Sequence, residues 1–404
     1  MSKKPAVVLS AALLAGFVGA AGADDDRDAR FPNHATFTTL IVTPLAIEGL
    51  TGDAAGNLYT TGRETTVGQN CPVWRISIAS PSLVTVGFIP NSPACNPSGI
   101  AFDEAGNLYV ADGGTAATVW KLTPSVSAPP VATAFATGVP GTNGLAFDRR
   151  GNLWTGDGTT GQGRVWKIAP SGGACEPAFT GCIEALRVQP MRNGADLGGD
   201  LPLRGVGREN RTVPLENAQN LVANGVAFDR EGDLYIADTA RGALWKAEFD
   251  RRGNLKNAVN CDTTFTANTL CLDSVFVAHP YLEGTDGIAL DRAGNIWNSA
   301  NERNAIVVAT RHGKVAEVFR NPPNAAGLRN SADPAVGDNH ILEFPTSPVL
   351  VGKTFCTANS DGNRRDNSPN SAGEVNQGGP VGARGKISCM DQELNIPGER
   401  LPAR

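Results

Sequence analysis

A six-bladed β-propeller of four-stranded antiparallel blades, an all-β fold, is the architecture that this 404-residue sequence predicts. Three observations predict it. One phrase of about fifteen residues recurs five times; each copy divides into two apolar runs around an Asp-x-x-Gly-Asn/Asp turn; and a further apolar run follows each copy.

The copies read EGLTGDAAGNLYTTG (48–62), SGIAFDEAGNLYVAD (98–112), NGLAFDRRGNLWTGD (143–157), NGVAFDREGDLYIAD (224–238) and DGIALDRAGNIWNSA (286–300). A glycine in the left-handed position of the turn makes each copy a β-hairpin. The runs CPVWRISI, ATVWKLTP, GRVWKIAP, GALWKAEF and NAIVVAT then supply a third strand, and a fourth has to close each unit before the next begins. Glycines 49, 99, 144, 225 and 287 are 50, 45, 81 and 62 residues apart, so the shorter intervals hold one blade and the longer ones hold insertions, placed at 171–222 and 256–284. TSPVLVGKTFCTANSD (346–361) and GKISCMD (385–391) are expected to form a sixth blade around a polar loop, 361–384. ATFTTLIVTP (35–44) is expected to be its outer strand and to close the ring. The propeller thus spans 35–392, followed by a tail, 393–404.

Ahead of it, residues 1–23 have the layout of a cleaved signal peptide: Lys3 and Lys4, an apolar stretch, and small residues up to Ala23. The apolar stretch falls short of the ~20 residues that a span requires. Export to the periplasm or medium follows, with no membrane association after cleavage. In that oxidising setting the eight cysteines read as disulfides, paired by proximity as Cys71–Cys95, Cys175–Cys182, Cys261–Cys271 and Cys356–Cys389. A net charge of −5 without a basic cluster argues against nucleic acid, and the scattered histidines argue against zinc.

The first strand of a propeller blade runs beside the axis. Residues just before the repeat glycines therefore ring one mouth of the channel: Glu48, Ser98, Asn143, Asn224, Asp286, and Thr346 or Ser347. All carry oxygen, and their variation between copies points to a site built once by unlike blades. At the other mouth Asp53, Asp103, Asp148, Asp229 and Asp291 are constant, as turn caps should be. Trp120, Trp154, Trp166, Trp245 and Trp297, with Phe102, Phe147 and Phe228, hold fixed places in the repeat and are expected to pack between blades. His279 and His340 lie on segments entering inner strands and are candidate substrate contacts, a structural role being the alternative. Two carboxylates and two amide oxygens suit a hard divalent cation, calcium above others, whose two charges Glu48 and Asp286 would cancel.

Glu-Gly in the first unit, Asn-Gly in the third and fourth, and Asp-Gly in the fifth resemble the senescence-marker-protein/gluconolactonase/luciferin-regenerating-enzyme family of six-bladed propellers, over most of 45–361. The resemblance implies Glu48, Asn224 and Asp286 as metal ligands, Asn143 as a contact to substrate or metal-bound water, and Asp286 as base or nucleophile. It implies a metal-dependent hydrolase of a lactone or other activated ester, with a small-molecule substrate contacted by Asn143; Ser98 is a further candidate substrate contact from its place in the ring. The chain departs from the family's sugar lactonases at Gly141, where they carry arginine. A non-catalytic NHL-type propeller that binds a protein or glycan is the alternative; it would need no acidic ring. A propeller lyase would need a histidine at the mouth.

Overall fold

The computed structural model describes residues 31–402 except 33–34, 65, 67, 92–93, 189–190, 193–194, 197–222, 240, 257–264, 321–340 and 361–383. The signal segment, Cys261, His340 and nearly all of loop 361–384 lie outside the described residues.

Six antiparallel sheets succeed one another along the chain. Blade 1 contains Ile47–Gly52, Asn57–Gly62, Cys71–Ser77 and Val84–Ile89; blade 2 contains Pro97–Phe102, Leu108–Asp112, Thr118–Leu122 and Thr133–Thr137. Blade 3 contains Thr142–Phe147, Leu153–Asp157, Arg164–Ile168 and Cys182–Val188, and blade 4 contains Ala223–Phe228, Leu234–Asp238, Ala243–Ala247 and Val275–Ala278. Thr285–Leu290, Ile296–Ala300, Ala305–Ala309 and Val315–Arg320 make blade 5. In blade 6, Pro345–Val351, Thr354–Asn359 and Gly385–Met390 are completed by the N-terminal strand Phe37–Thr43. The first strands touch in order around the circle, and that of blade 6 meets that of blade 1, so the ring is closed.

The stretches expected as insertions begin or end with outer strands of their own blades: Cys182–Val188 falls in 171–222, and Val275–Ala278 in 256–284. Outer strands are half exposed and carry no repeat phrase, which hid them. The remaining chain shields strand edges. Gly173–Ala174 adds in parallel to the outer strand of blade 2, Thr269–Leu270 to that of blade 3, and Val131 bridges to Phe88 of blade 1. Unpaired edge groups invite pairing with other chains, so such straps are protective. Cys175–Cys182 fastens the base of one strap, and Cys71–Cys95 and Cys356–Cys389 are also formed. Cys271 is disulfide-bonded as well, while its expected partner Cys261 lies outside the described residues.

One buried apolar cluster fills each interface between neighbouring blades. Trp166, Trp245 and Trp297 are fully buried there. Edge-to-face pairs repeat the same contact: Tyr59 with Phe102, Tyr109 with Phe147, and Trp154 with Phe228, at centroid separations of 4.8, 5.0 and 5.6 Å. The tryptophans and phenylalanines are packing residues, as their fixed repeat positions imply.

The turn aspartates are caps. Asp148 accepts the backbone N–H groups of Arg150 and Asn152, the Asn152 amide and the Trp154 indole N–H. Asp291 accepts the matching set from Ala293, Asn295 and Trp297. Over this face lies the C-terminal tail. Leu394 donates its backbone N–H to Lys353 and Gly398 to Gly352, both of blade 6, while Arg292 of blade 5 and Ala54 of blade 1 donate to Pro397 and Pro402. Glu399 pairs with Arg230 of blade 4. The tail is thus tied to four blades, and the polar ring lies at the opposite mouth.

Candidate functional site

All six inner strands carry a β-bulge at the same place, covering residues 48–49, 98–99, 143–144, 224–225, 286–287 and 346–347. A bulge inserts an unpaired residue and re-aims its side chain. In five blades the second bulge residue is glycine, and the reason is steric. A Cβ on Gly49 would lie 2.0 Å from the Ser98 carbonyl oxygen, one on Gly99 2.1 Å from that of Asn143, and one on Gly144 2.8 Å from that of Asn224. On Gly225 it would lie 2.4 Å from the Asp286 oxygen, and on Gly287 2.5 Å from that of Thr346. The backbone carbonyls of five of the six ring residues are therefore pressed against the glycine of the preceding blade. Blade 6 has Ser347 at this point, and its Thr346 hydroxyl donates to the Glu48 carbonyl at 2.7 Å, completing the circle. Thr346 is thus the sixth ring position.

The side chains also meet. Asn143 Nδ2 donates to Glu48 Oε1 at 3.2 Å from two blades away, and the Arg63 guanidinium contacts Glu48 Oε2. Asn224 is 6 % exposed, and its Nδ2 donates to Thr239 Oγ1 at 3.2 Å. Thr239 Oγ1 in turn donates to the carbonyl of Thr285 at 2.8 Å. Asp286 is 5 % exposed, and its Oδ2 accepts the Asn301 amide at 2.9 Å.

Sequence reasoning missed Arg63, Thr239 and Asn301. They stand fifteen positions after Glu48, Asn224 and Asp286, where the connection between second and third strands returns to the ring mouth. The equivalent positions of blades 2 and 3 are Gly113 and Gly158, and a Cβ on Gly158 would lie 2.6 Å from Asn143 Nδ2. A common offset of fifteen was the signal available.

Two candidates stand apart. Ser98 Oγ is buried and donates to the Thr142 carbonyl at 3.2 Å, linking blades 2 and 3. His279 Nδ1 accepts the Tyr281 N–H at 3.1 Å and caps the short 3-10 turn Pro280–Leu282. Its pKa is lowered by burial and then by the charge of Arg303. Both side chains serve structure, and neither is carried into the proposed site.

The ring suits a hard cation in part. Among the described residues no three of His, Cys, Asp and Glu cluster to hold a metal, so two carboxylates need amide oxygens beside them. Asn224 Oδ1 supplies one: it is buried and accepts no hydrogen bond. Native proteins rarely leave such an acceptor unmatched, and a bound cation would match it. Arg63 would oppose a cation by cancelling part of the ring's negative charge, so the two would compete for Glu48.

Residues 204–327 match the SMP-30/Gluconolactonase/LRE-like region. The match includes Asn224 and Asp286, and the resemblance read from the ring positions holds over this stretch. No curated protein matches the chain. Among solved structures the fold is similar to a putative gluconolactonase (16% identity, TM-score 0.52, 93% of this chain and 98% of that one). It is similar to regucalcin from Agrobacterium tumefaciens, described as a calcium-binding protein (16%, TM-score 0.53, 92% and 98%). A PQQ-bound aldose sugar dehydrogenase from Streptomyces coelicolor is likewise similar (14%, TM-score 0.52, 89% and 98%). At these identities only the fold is shared, and it carries more than one chemistry, so function has to be argued from the ring.

Proposed function

We propose that this chain, with its SMP-30/gluconolactonase/LRE-like region, is a calcium-dependent hydrolase of a lactone or other activated ester, exported to the periplasm or medium. The observation that carries the reading is Asn224 Oδ1, buried and without a hydrogen bond, next in the ring to the buried carboxylate of Asp286. The formed disulfides support an oxidising compartment, and no described helix is long and apolar enough to cross a membrane.

Glu48, Asn224 and Asp286 would hold the cation, which when bound supplies Lewis-acid polarisation of the ester carbonyl. The Asn301 amide fixes the orientation of the Asp286 carboxylate, which accepts the proton of the attacking water. Asn143 Nδ2, on Glu48 in this arrangement, is the donor for the oxygen that gains negative charge. Gly141 leaves out the arginine seen in the family's sugar lactonases, while Arg63 brings a guanidinium to the same mouth from blade 1.

That guanidinium also favours the second reading, a non-catalytic propeller that binds a protein or glycan at this mouth, because it makes the ring less anionic. A panel of lactones, aryl esters and phosphotriesters, with and without calcium, decides between them. Calcium-dependent turnover lost in Asp286→Asn supports the hydrolase; no turnover on any substrate supports the binding module.

A further inference from the structure

The buried amide of Asn301 is a second acceptor in the condition of Asn224. Asn301 is 3 % exposed, and its Oδ1 is buried with no hydrogen bond. Its orientation is fixed chemically, since only the NH2 side of the amide can donate to Asp286 Oδ2. The two amides are tied to consecutive residues: Asn224 through Thr239 to the Thr285 carbonyl, and Asn301 to the Asp286 side chain. Blades 4 and 5 therefore hold two unmatched amide oxygens, one on a side chain bonded to the buried Asp286 carboxylate and one on a side chain tied to the residue before it.

Leaving a buried acceptor unmatched is unfavourable, and adjacent blades leave two so here. An ordered water could donate to such acceptors, but it would bring no charge to the buried Asp286 carboxylate. A hard cation would match amide oxygens of this kind and would also be held by the Asp286 carboxylate.

We infer that Asn301 is a further ligand of the cation, its side-chain oxygen joining those of Asn224 and Asp286. The inference rests on the cation reading above and extends it to a residue outside the repeat phrase. It also explains why this connection carries Asn where blades 2 and 3 carry glycine at the same offset: Gly113 and Gly158 offer no side-chain oxygen. In blade 6 the equivalent residue, Asp361, lies outside the described residues.

Calcium titration of the whole exported protein, read by calorimetry and by the melting temperature, tests it without any substrate. Asn301→Leu removes the oxygen at similar size and should weaken calcium binding at least tenfold. Asn301→Asp keeps an oxygen there and adds charge, so it should lower the melting temperature without calcium and give a larger calcium-induced rise than wild type. Wild-type calcium affinity in Asn301→Leu, or a smaller rise in Asn301→Asp, would overturn the inference while leaving the cation site in place. Absence of calcium binding by the wild-type protein would remove both readings. Circular dichroism of each variant without calcium separates misfolding from loss of a ligand.

Discussion

Asn143 Nδ2 sits 3.2 Å from Glu48 Oε1 although 95 positions separate the two residues and blade 2 lies between them. Polar side chains of blades 1 and 3 thus meet at the axis, while Ser98 of the intervening blade turns its hydroxyl to a backbone carbonyl. Convergence of unlike residues from pseudo-equivalent positions is the relationship on which the proposed chemistry depends.

Arg63 and the proposed cation would compete for Glu48. Arg63→Gln should therefore raise calcium affinity, by several-fold for a partly exposed pair, and Glu48→Gln should lower it. Isothermal titration of both variants at one ionic strength measures this. Unchanged affinity in Arg63→Gln would mean that the guanidinium does not weigh on the site.

The ring glycines are fixed by backbone contact. Gly225→Ala puts a Cβ 2.4 Å from the Asp286 carbonyl oxygen, and forcing the blades apart should cost about 1–3 kcal/mol. Gly56→Ala meets no atom within 4 Å, but keeps a left-handed φ of 86° at about 1–2 kcal/mol. Both should melt earlier than wild type, and only Gly225→Ala should also weaken the response to calcium. Denaturant melts with and without calcium separate the two effects.

His279 provides a pH test. Its folded pKa is depressed, by burial and by Arg303, so the neutral form is favoured on folding. The corresponding stability is present above the unfolded value of 6.5 and is lost as pH falls through the folded midpoint. NMR titration should place that midpoint below 6.5, and His279→Asn, which keeps a capping oxygen, should flatten the loss of stability in this window. A midpoint at or above the unfolded value would contradict the burial argument.

The Cys356–Cys389 bridge joins the second and third strands of blade 6, the blade that also receives the N-terminal closing strand. Replacing both cysteines by alanine releases a 33-residue separation in the unfolded chain and should cost about 3–4 kcal/mol. The paired variant should show a lower urea midpoint, with blade 6 losing hydrogen-exchange protection first.

Several features were readable before folding, and others had no one-dimensional signature. Five of the six ring positions were legible because each precedes a repeated glycine. The partners Arg63, Thr239 and Asn301 were not, since they lie past the repeat phrase and differ in chemical type. Phe249–Leu255 shows a converse limit: FDRRGNL there repeats 147–153 letter for letter, yet it forms only a bridged turn outside the blade ladders. That turn packs Phe249 against Trp154 with tilted rings, and its carbonyls at 251 and 252 accept hydrogen bonds from the Arg150 guanidinium. Equal words were used once for a blade and once for a clasp.

The sequence by itself determined the number of blades, the turn caps, the interblade aromatics and the order of polar residues around the axis, because each follows from local periodicity and from glycine's conformational reach. Only the tertiary structure decided which of those residues meet, which amide oxygens are left without hydrogen bonds, and that the tail lies over the turn face. Those outcomes depend on contacts between positions tens to hundreds of residues apart, where burial and the competition among donors and acceptors select partners that no local pattern records.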